Sequence, residues 1–338
     1  MTISSPAVPD VDAVVRALLE AAPRSVRPIG AGRNSRVFRV DLDGRTVVVK
    51  FYRRDAGDTR DRLATEFGAL RFLWDNNVRA VPRAIADDRH HYCAIYEFID
   101  GEPAAATGTI AAGDIDSLVD FLAALQPLRR EAAGIGTASE ASFSLAAVVE
   151  HVKARAIRLR AHADGHPALQ QWFTDEFDPL FAAAESWCRS TAAAAGQPFD
   201  VEIDTARRTL SPSDFGFHNA VRRRDGSLVF VDFEYFGWDD PAKTVVDFLL
   251  HPGMALPDAL KKRFADRFFH AFAFVEGLRD RARIVYPLYG LKWCLILLND
   301  FLPDRATTAT ADVRAQQLQK ASALVDRLRR EYRENPFV

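Results

Sequence analysis

The chain has 338 residues, of which 48% are hydrophobic, 27% charged and 11% aromatic; this excludes disordered and fibrous classes, and at roughly 150 residues per domain it predicts about two domains. The 44 Lys and Arg against 46 Asp and Glu leave a net charge of −2, so there is no electrostatic footprint for nucleic acid or for an anionic membrane. The segment MTISSPAVPD lacks the basic n-region and apolar run of a secretory signal, and the most apolar stretch, Leu291–Leu298, is short and carries Lys292, which predicts a cytoplasmic protein without a membrane span.

Taken in chain order, the pattern is strand-like from Ser25 to about Phe98. The runs SRVFRVDL and RTVVVKFY flank Asp43-Gly44, a hairpin signal, and HYCAIYEFI follows after a break. Within that break Leu63, Phe67, Leu70 and Trp74 recur at four, three and four residues, which predicts a helix over Asp61–Trp74. After Gly101-Glu102-Pro103 the pattern turns helical: Asp114–Leu128, Leu145–His162, Ala168–Ser190, Asp258–Leu278 and Asp312–Glu334. One hairpin interrupts it, Ala220–Arg224 and Ser227–Phe233 about Asp225-Gly226, followed by a helix Ala242–Leu250 with Asp240 as N-cap and Pro241 at its first position. There is no internal repeat, and Cys93, Cys188 and Cys294 stand too far apart for a ligand motif, which predicts buried thiols. The fold class predicted is α+β, a small β-rich N-lobe over 1–100 and a large mainly helical C-lobe over 101–338.

Three groups of residues suit phosphate chemistry. Gly30-Ala31-Gly32-Arg33-Asn34-Ser35 begins like a dinucleotide fingerprint, but strand-like residues follow it where a phosphate-binding helix would have to begin. Strand, glycine-rich loop, strand is instead the arrangement in which backbone N–H groups close over a nucleotide. Lys50 ends the run Val47-Val48-Val49, and Glu66, sixteen residues on, is its candidate partner. Either residue alone fits a solvated surface equally well. Asp214 and Asn219 stand five apart, and Asp232 follows across the hairpin in Val-Asp-Phe-Glu. Asn219 and Asp232 offer the hard oxygens Mg²⁺ takes, and Asp214 could accept the proton of an acceptor hydroxyl. Asp247, among apolar neighbours, needs buried partners such as N–H groups of the loop that bears Asp214.

In this order the elements resemble the aminoglycoside phosphotransferase family and its choline-kinase relatives, which share a protein-kinase-like two-lobed fold. The resemblance implies ATP and Mg²⁺ as cofactors and an N-lobe that binds nucleotide through Gly30, Gly32, Ser35, Lys50 and Glu66, with the backbone of Glu97 and Ile99 in the hinge 96–101. It implies a C-lobe with Asp214 as catalytic aspartate, Asn219 and Asp232 as metal ligands, and helices that bind the acceptor. Asp232-Phe233-Glu234-Tyr235 looks like the choline-kinase form of the metal motif. Three departures stand out: Pro212 where relatives carry histidine, Glu234 where protein kinases carry glycine, and Ser35 for the last loop glycine. Proline has no side-chain donor or acceptor, so that histidine's hydrogen bonds are either replaced by other groups or absent.

The expected function is ATP- and Mg²⁺-dependent phosphorylation of a small-molecule hydroxyl, that of an aminoglycoside, a sugar or a choline-like amino alcohol. Glu234, Tyr235 and Trp238 are candidate acceptor contacts, with Asn299, Asp300 and Asp304 nearby in sequence to Trp293. No nucleic acid or membrane partner is implied, and no feature sets an oligomeric state. The alternative is a non-catalytic nucleotide-binding pseudokinase or scaffold, for which Pro212 is the main support. A regulated protein kinase would need an activation segment that the chain lacks.

Overall fold

Alternating apolar residues on either side of Asp43-Gly44 build the first sheet. The computed structural model describes residues 10–31, 34–54, 60–106, 110–303 and 309–338. Strands β1 (Ser25–Ala31), β2 (Ser35–Asp41), β3 (Thr46–Tyr52), β4 (Ala84–Asp88) and β5 (Cys93–Glu97) lie antiparallel in the order β1-β2-β3-β5-β4. The glycine-rich segment thus leads from strand to strand, with Gly30 opposite Val37. Val47, Val49 and Phe51 of β3 join Val40, Leu42, Cys93 and Ile95 in a core against Val11, Val14 and Val15 of α1 (Val11–Leu19). Because side chains alternate along a strand, Lys50 and Tyr52 are left on the opposite face.

Helix α2 (Arg62–Asp75) is capped by Asp61, whose side chain accepts the Ala64 N–H. Its buried stripe runs Leu63, Glu66, Leu70 and Leu73, so the predicted stripe is turned by one position and Glu66 takes a place on it. Strand β6 (Gly101–Pro103) follows; past β7 (Thr209–Ser211), β8 (Ala220–Arg223) pairs both with β6 and with β9 (Leu228–Phe230). A Cβ at Gly101 would lie 2.3 Å from the Arg222 carbonyl oxygen, so this pairing requires glycine at that position. The predicted hairpin closes as a three-residue loop, with Gly226 at φ +87 and its N–H bonded to the Arg223 carbonyl.

The chain forms two units, each described by itself. The first comprises residues 1–109, 131–136 and 216–237, so it contains the sheet, α1, α2 and the 220–230 hairpin; the second comprises 110–130, 137–215 and 238–338. The second unit holds α3 (Ala112–Ala124), α4 (Leu145–Arg160), α5 (Pro167–Trp172), α6 (Asp178–Ala194), α7 (Pro241–Leu250), α8 (Asp258–Ala271), α9 (Leu278–Leu297) and α10 (Ala311–Glu331).

Two predicted helices differ from the structure. Ala168–Ser190 is α5 and α6 joined by a π turn, Phe173–Phe177, in which the Asp178 N–H reaches the Phe173 carbonyl. Pro179 has no N–H to continue the α pattern, and the wider turn buries Trp172, Phe173 and Phe177 together. Asp258–Leu278 ends instead at Ala271, and α9 begins after Gly277, in the left-handed region at φ +71. Helix α9 packs against α4, α6, α7 and α10 and is buried nearly all round, which leaves no apolar stripe to read. Cys93, Cys188 and Cys294 are buried free thiols. Among the described residues no helix is long and apolar enough to cross a membrane.

Candidate active site

In the first unit the face of β3 that bears Lys50 and Tyr52, the buried stripe of α2 and the end of the hairpin meet around one ammonium. Lys50 Nζ lies 2.6 Å from Glu66 Oε2, 2.6 Å from Asp232 Oδ1 and 3.9 Å from Glu234 Oε2. Burial alone would lower the pKa of Lys50, but the carboxylates of Glu66, Asp232 and Glu234 outweigh it and hold the group above its ordinary value. Glu66 is fully engaged: the Tyr52 hydroxyl donates to Oε2 at 2.8 Å and the Phe233 N–H to Oε1 at 3.3 Å. Tyr52 is bonded in turn to the Tyr96 hydroxyl at 2.7 Å. A buried ion pair is retained at little cost only when its remaining lone pairs are satisfied in this way.

Asn219 ends a 3₁₀ turn, Phe217–Asn219, and its carbonyl accepts the Val231 N–H at 2.9 Å. That bond sets Asn219 across the hairpin from the residue before Asp232. Asp232 has φ +67, an uncommon conformation for a non-glycine residue that marks a constrained position. Its side chain is 41% exposed, whereas those of Glu66 and Glu234 are 4% and 3% exposed. Asp232 thus offers one accessible carboxylate, of the kind a divalent cation takes while completing its shell with water and phosphate, and Asn219, across the hairpin, is the residue with an amide oxygen to add.

The other residues expected at the nucleotide fall as follows. Gly30 is in β1, Ser35 is buried in β2, and Gly32 lies outside the described residues. Glu97 ends β5; its N–H donates to the Arg83 carbonyl at 2.9 Å and its carboxylate accepts the Arg83 N–H at 3.1 Å. Ile99 is buried. Glu234 is buried against Arg62 Nε at 3.3 Å and accepts from Asn34 Nδ2 at 2.6 Å, and the same amide reaches the Tyr235 hydroxyl at 2.7 Å. Burial and the neighbouring Glu234 carboxylate push the Tyr235 phenol up to about 12.

In the second unit Asp214 follows β7, its side chain 39% exposed and 3.8 Å from His251 Nε2. The ring of His251 stands edge-on to Trp293. Trp238 is half-buried, and its carbonyl accepts the Ala138 N–H at 2.9 Å. Asp300 belongs to a 3₁₀ turn after α9, and Asp304 lies outside the described residues. Asp240 caps α7 through the Ala242 N–H at 2.8 Å and holds Arg281 at 2.5 Å. Asp247 finds side-chain partners: Lys292 at 2.9 Å, Lys243 at 3.2 Å and Trp293 Nε1 at 3.1 Å. Burial works against ionisation of Asp247, yet the two lysines hold its carboxyl below the usual range. This explains the charge inside the apolar run Leu291–Leu298.

Several of these residues escape a reading by motif. Tyr52 had a signal, since it stands two residues beyond Lys50 and so on the same strand face. Lys243 had another, four residues after Asp239 and four before Asp247. Asn34 and Arg62 had none, because their partners lie some 170 to 200 residues away.

A model of the phosphotransferase enzyme family matches residues 25–285 of the chain. Among solved structures the fold is similar to that of a spectinomycin phosphotransferase in complex with ADP and spectinomycin, with a TM-score of 0.66, 10% identity, and 95% of this chain and 98% of that one covered. It is similar also to an ADP-bound aminoglycoside phosphotransferase, at 0.61, 15% identity, 94% and 98% coverage. A choline kinase from Cryptosporidium parvum Iowa II follows at 0.59, 11% identity, 93% and 92% coverage. At such identities the likeness is one of fold: a β-sheet N-terminal region and a mainly helical C-terminal part, as in kinases of this type. No curated protein sequence matches the chain.

Proposed function

We propose that this chain, which belongs to the phosphotransferase enzyme family, moves the γ-phosphoryl group of ATP onto a hydroxyl of a small molecule. The observation that carries the proposal is the buried Lys50 held at 2.6 Å by both Glu66 and Asp232, since phosphoryl transfer depends on a fixed cation at the phosphates and a carboxylate for the metal. In this reading the first unit takes the nucleotide. Gly30, Gly32 and Ser35 lie along the phosphates, Lys50 neutralises the α and β groups, and backbone groups of Glu97 and Ile99 meet the adenine. Mg²⁺, held by Asn219 and Asp232, would supply further charge neutralisation at the phosphates when bound.

Asp214 accepts or orients the proton of the acceptor hydroxyl. The acceptor oxygen then forms a bond to the γ-phosphorus as the bond to the ADP oxygen breaks, and the proton passes to Asp214. The protein's contribution is positioning and charge neutralisation more than covalent chemistry. For the acceptor, an aminoglycoside, a sugar or a choline-like amino alcohol, Tyr235 and Trp238 offer half-buried aromatic surface. The carboxylate of Glu234 is committed to Arg62 and Asn34, so its contribution is to hold Tyr235 and the Asp232 segment in place.

An ADP-release screen with MgATP over amino alcohols, sugars and aminoglycosides tests the proposal. Release that depends on one acceptor class, with a product heavier by one phosphoryl group, is the expected result. Thermal stabilisation by MgATP without ADP from any acceptor would assign the chain instead to nucleotide binding without catalysis.

A further inference from the structure

The segment before Asp214 is held in a way that a proline at 212 does not by itself explain. Ser213 has φ +68, and the Asp214 N–H donates to the Pro212 carbonyl at 2.9 Å. This is a three-residue γ turn in the left-handed region, a strained form that persists only where its surroundings fix it. Three fixing contacts are on Ser213. Its N–H donates to Ser211 Oγ at 3.0 Å, its hydroxyl donates to the Ser139 carbonyl at 3.0 Å, and that hydroxyl accepts from Lys243 Nζ at 3.0 Å.

Lys243 lies in the first turn of α7 and is 2% exposed. Besides Ser213 it contacts Asp239 Oδ2 at 2.9 Å and Asp247 Oδ2 at 3.2 Å, and Asp247 is shared with Lys292 of α9 at 2.9 Å. Asp239, Lys243, Asp247 and Lys292 make a buried chain of two anions and two cations, and its inner lysine, Lys243, also donates to the Ser213 hydroxyl. Such a chain can move only as a unit, because separating any member leaves a buried charge without a partner.

We propose that Lys243, acting through the Ser213 hydroxyl, is the positioning residue that aims the Asp214 carboxylate in this chain. The proposal rests on the reading of Asp214 as the catalytic aspartate, and it supplies a tether for a loop whose position 212 is proline. A loop that cannot be tied down by a side chain at 212 is tied down one residue later, from α7. Neither Lys243 nor Ser213 need touch the substrate.

The test measures MgATP hydrolysis, with water as the acceptor, for the full chain, Ser213→Ala, Lys243→Met, the double variant and Asp214→Asn. Loss of the hydroxyl misplaces Asp214, so Ser213→Ala should lower kcat about 10- to 100-fold, with KM for ATP unchanged and Tm within about 4 °C of the parent. The double variant should then be no slower than Lys243→Met alone, since the lysine acts through the serine. An unchanged kcat in Ser213→Ala overturns the proposal. So does a rise in KM alone, or a fall in kcat that only tracks loss of folded protein. Where Lys243→Met fails to fold, the Ser213→Ala result decides by itself. Full activity in Asp214→Asn would overturn the reading of the catalytic aspartate, a separate outcome from failure of the Ser213 variant.

Discussion

Lys50 joins the sequence to the chemistry at the scale of single residues. It is buried with three carboxylates within 4 Å, so its removal leaves Glu66 without a cation. Lys50→Met should abolish phosphoryl transfer and also destabilise the fold by about 3 to 5 kcal/mol, as breaking a buried pair does; urea unfolding measures the second effect. The pH dependence has a definite sign. Lys50 has its folded pKa above the ordinary 10.5, so its contribution is complete below that pH and is lost as the pH climbs through the folded value. The stability difference between parent and Lys50→Met should therefore stay constant from about pH 7 to 9 and shrink above about 10.5. A difference that stays constant above about pH 10.5 would mean the Lys50 charge is not its source. At this scale the sequence was informative where chemistry fixes spacing, as for Lys50 with Glu66. It was silent on Asn34 and Arg62, which acquire their roles from contacts that only the folded chain makes.

Elements were legible in proportion to how one-sided their surroundings are. The hairpins carried Asp-Gly at their turns, and α2 showed a stripe, although Glu66 rather than Phe67 lies on it. A carboxylate is not counted as apolar, so a stripe that includes one is read a position out of place. Helix α9 gave no stripe because most of its residues are buried. Helix α2 also offers a test that leaves the site untouched. Gly68 is an interior helical residue, and a Cβ there would meet no atom within 4 Å. Gly68→Ala should raise stability by about 0.5 to 1 kcal/mol through helix propensity and the unfolded-state entropy. A destabilised variant in thermal unfolding would show that the α2 surface at this point is packed rather than open.

For the molecule as a whole, composition and near-neutral charge named no function, and the order of motifs along the chain carried the family. The spatial grouping was less legible, because residues 216–237 group with the N-terminal sheet although residues 110–130 and 137–215 of the helical unit precede them. A ligand that binds only the folded state stabilises by mass action, by about 2.7 kcal/mol at one hundred times its Kd. MgATP at such a concentration should therefore raise the melting temperature, and Mg²⁺ or ATP alone should raise it less. An equal shift with ATP in excess chelator would remove Asn219 and Asp232 from nucleotide binding. In the proposed mechanism Asp214 acts on the acceptor while Lys50, Asn219 and Asp232 act on the nucleotide. The most direct measurement is Asp214→Asn assayed for acceptor-dependent ADP formation and, in the same preparation, for thermal stabilisation by MgATP. Product formation should be lost while the MgATP shift is kept; full product formation in this variant would overturn the role of Asp214.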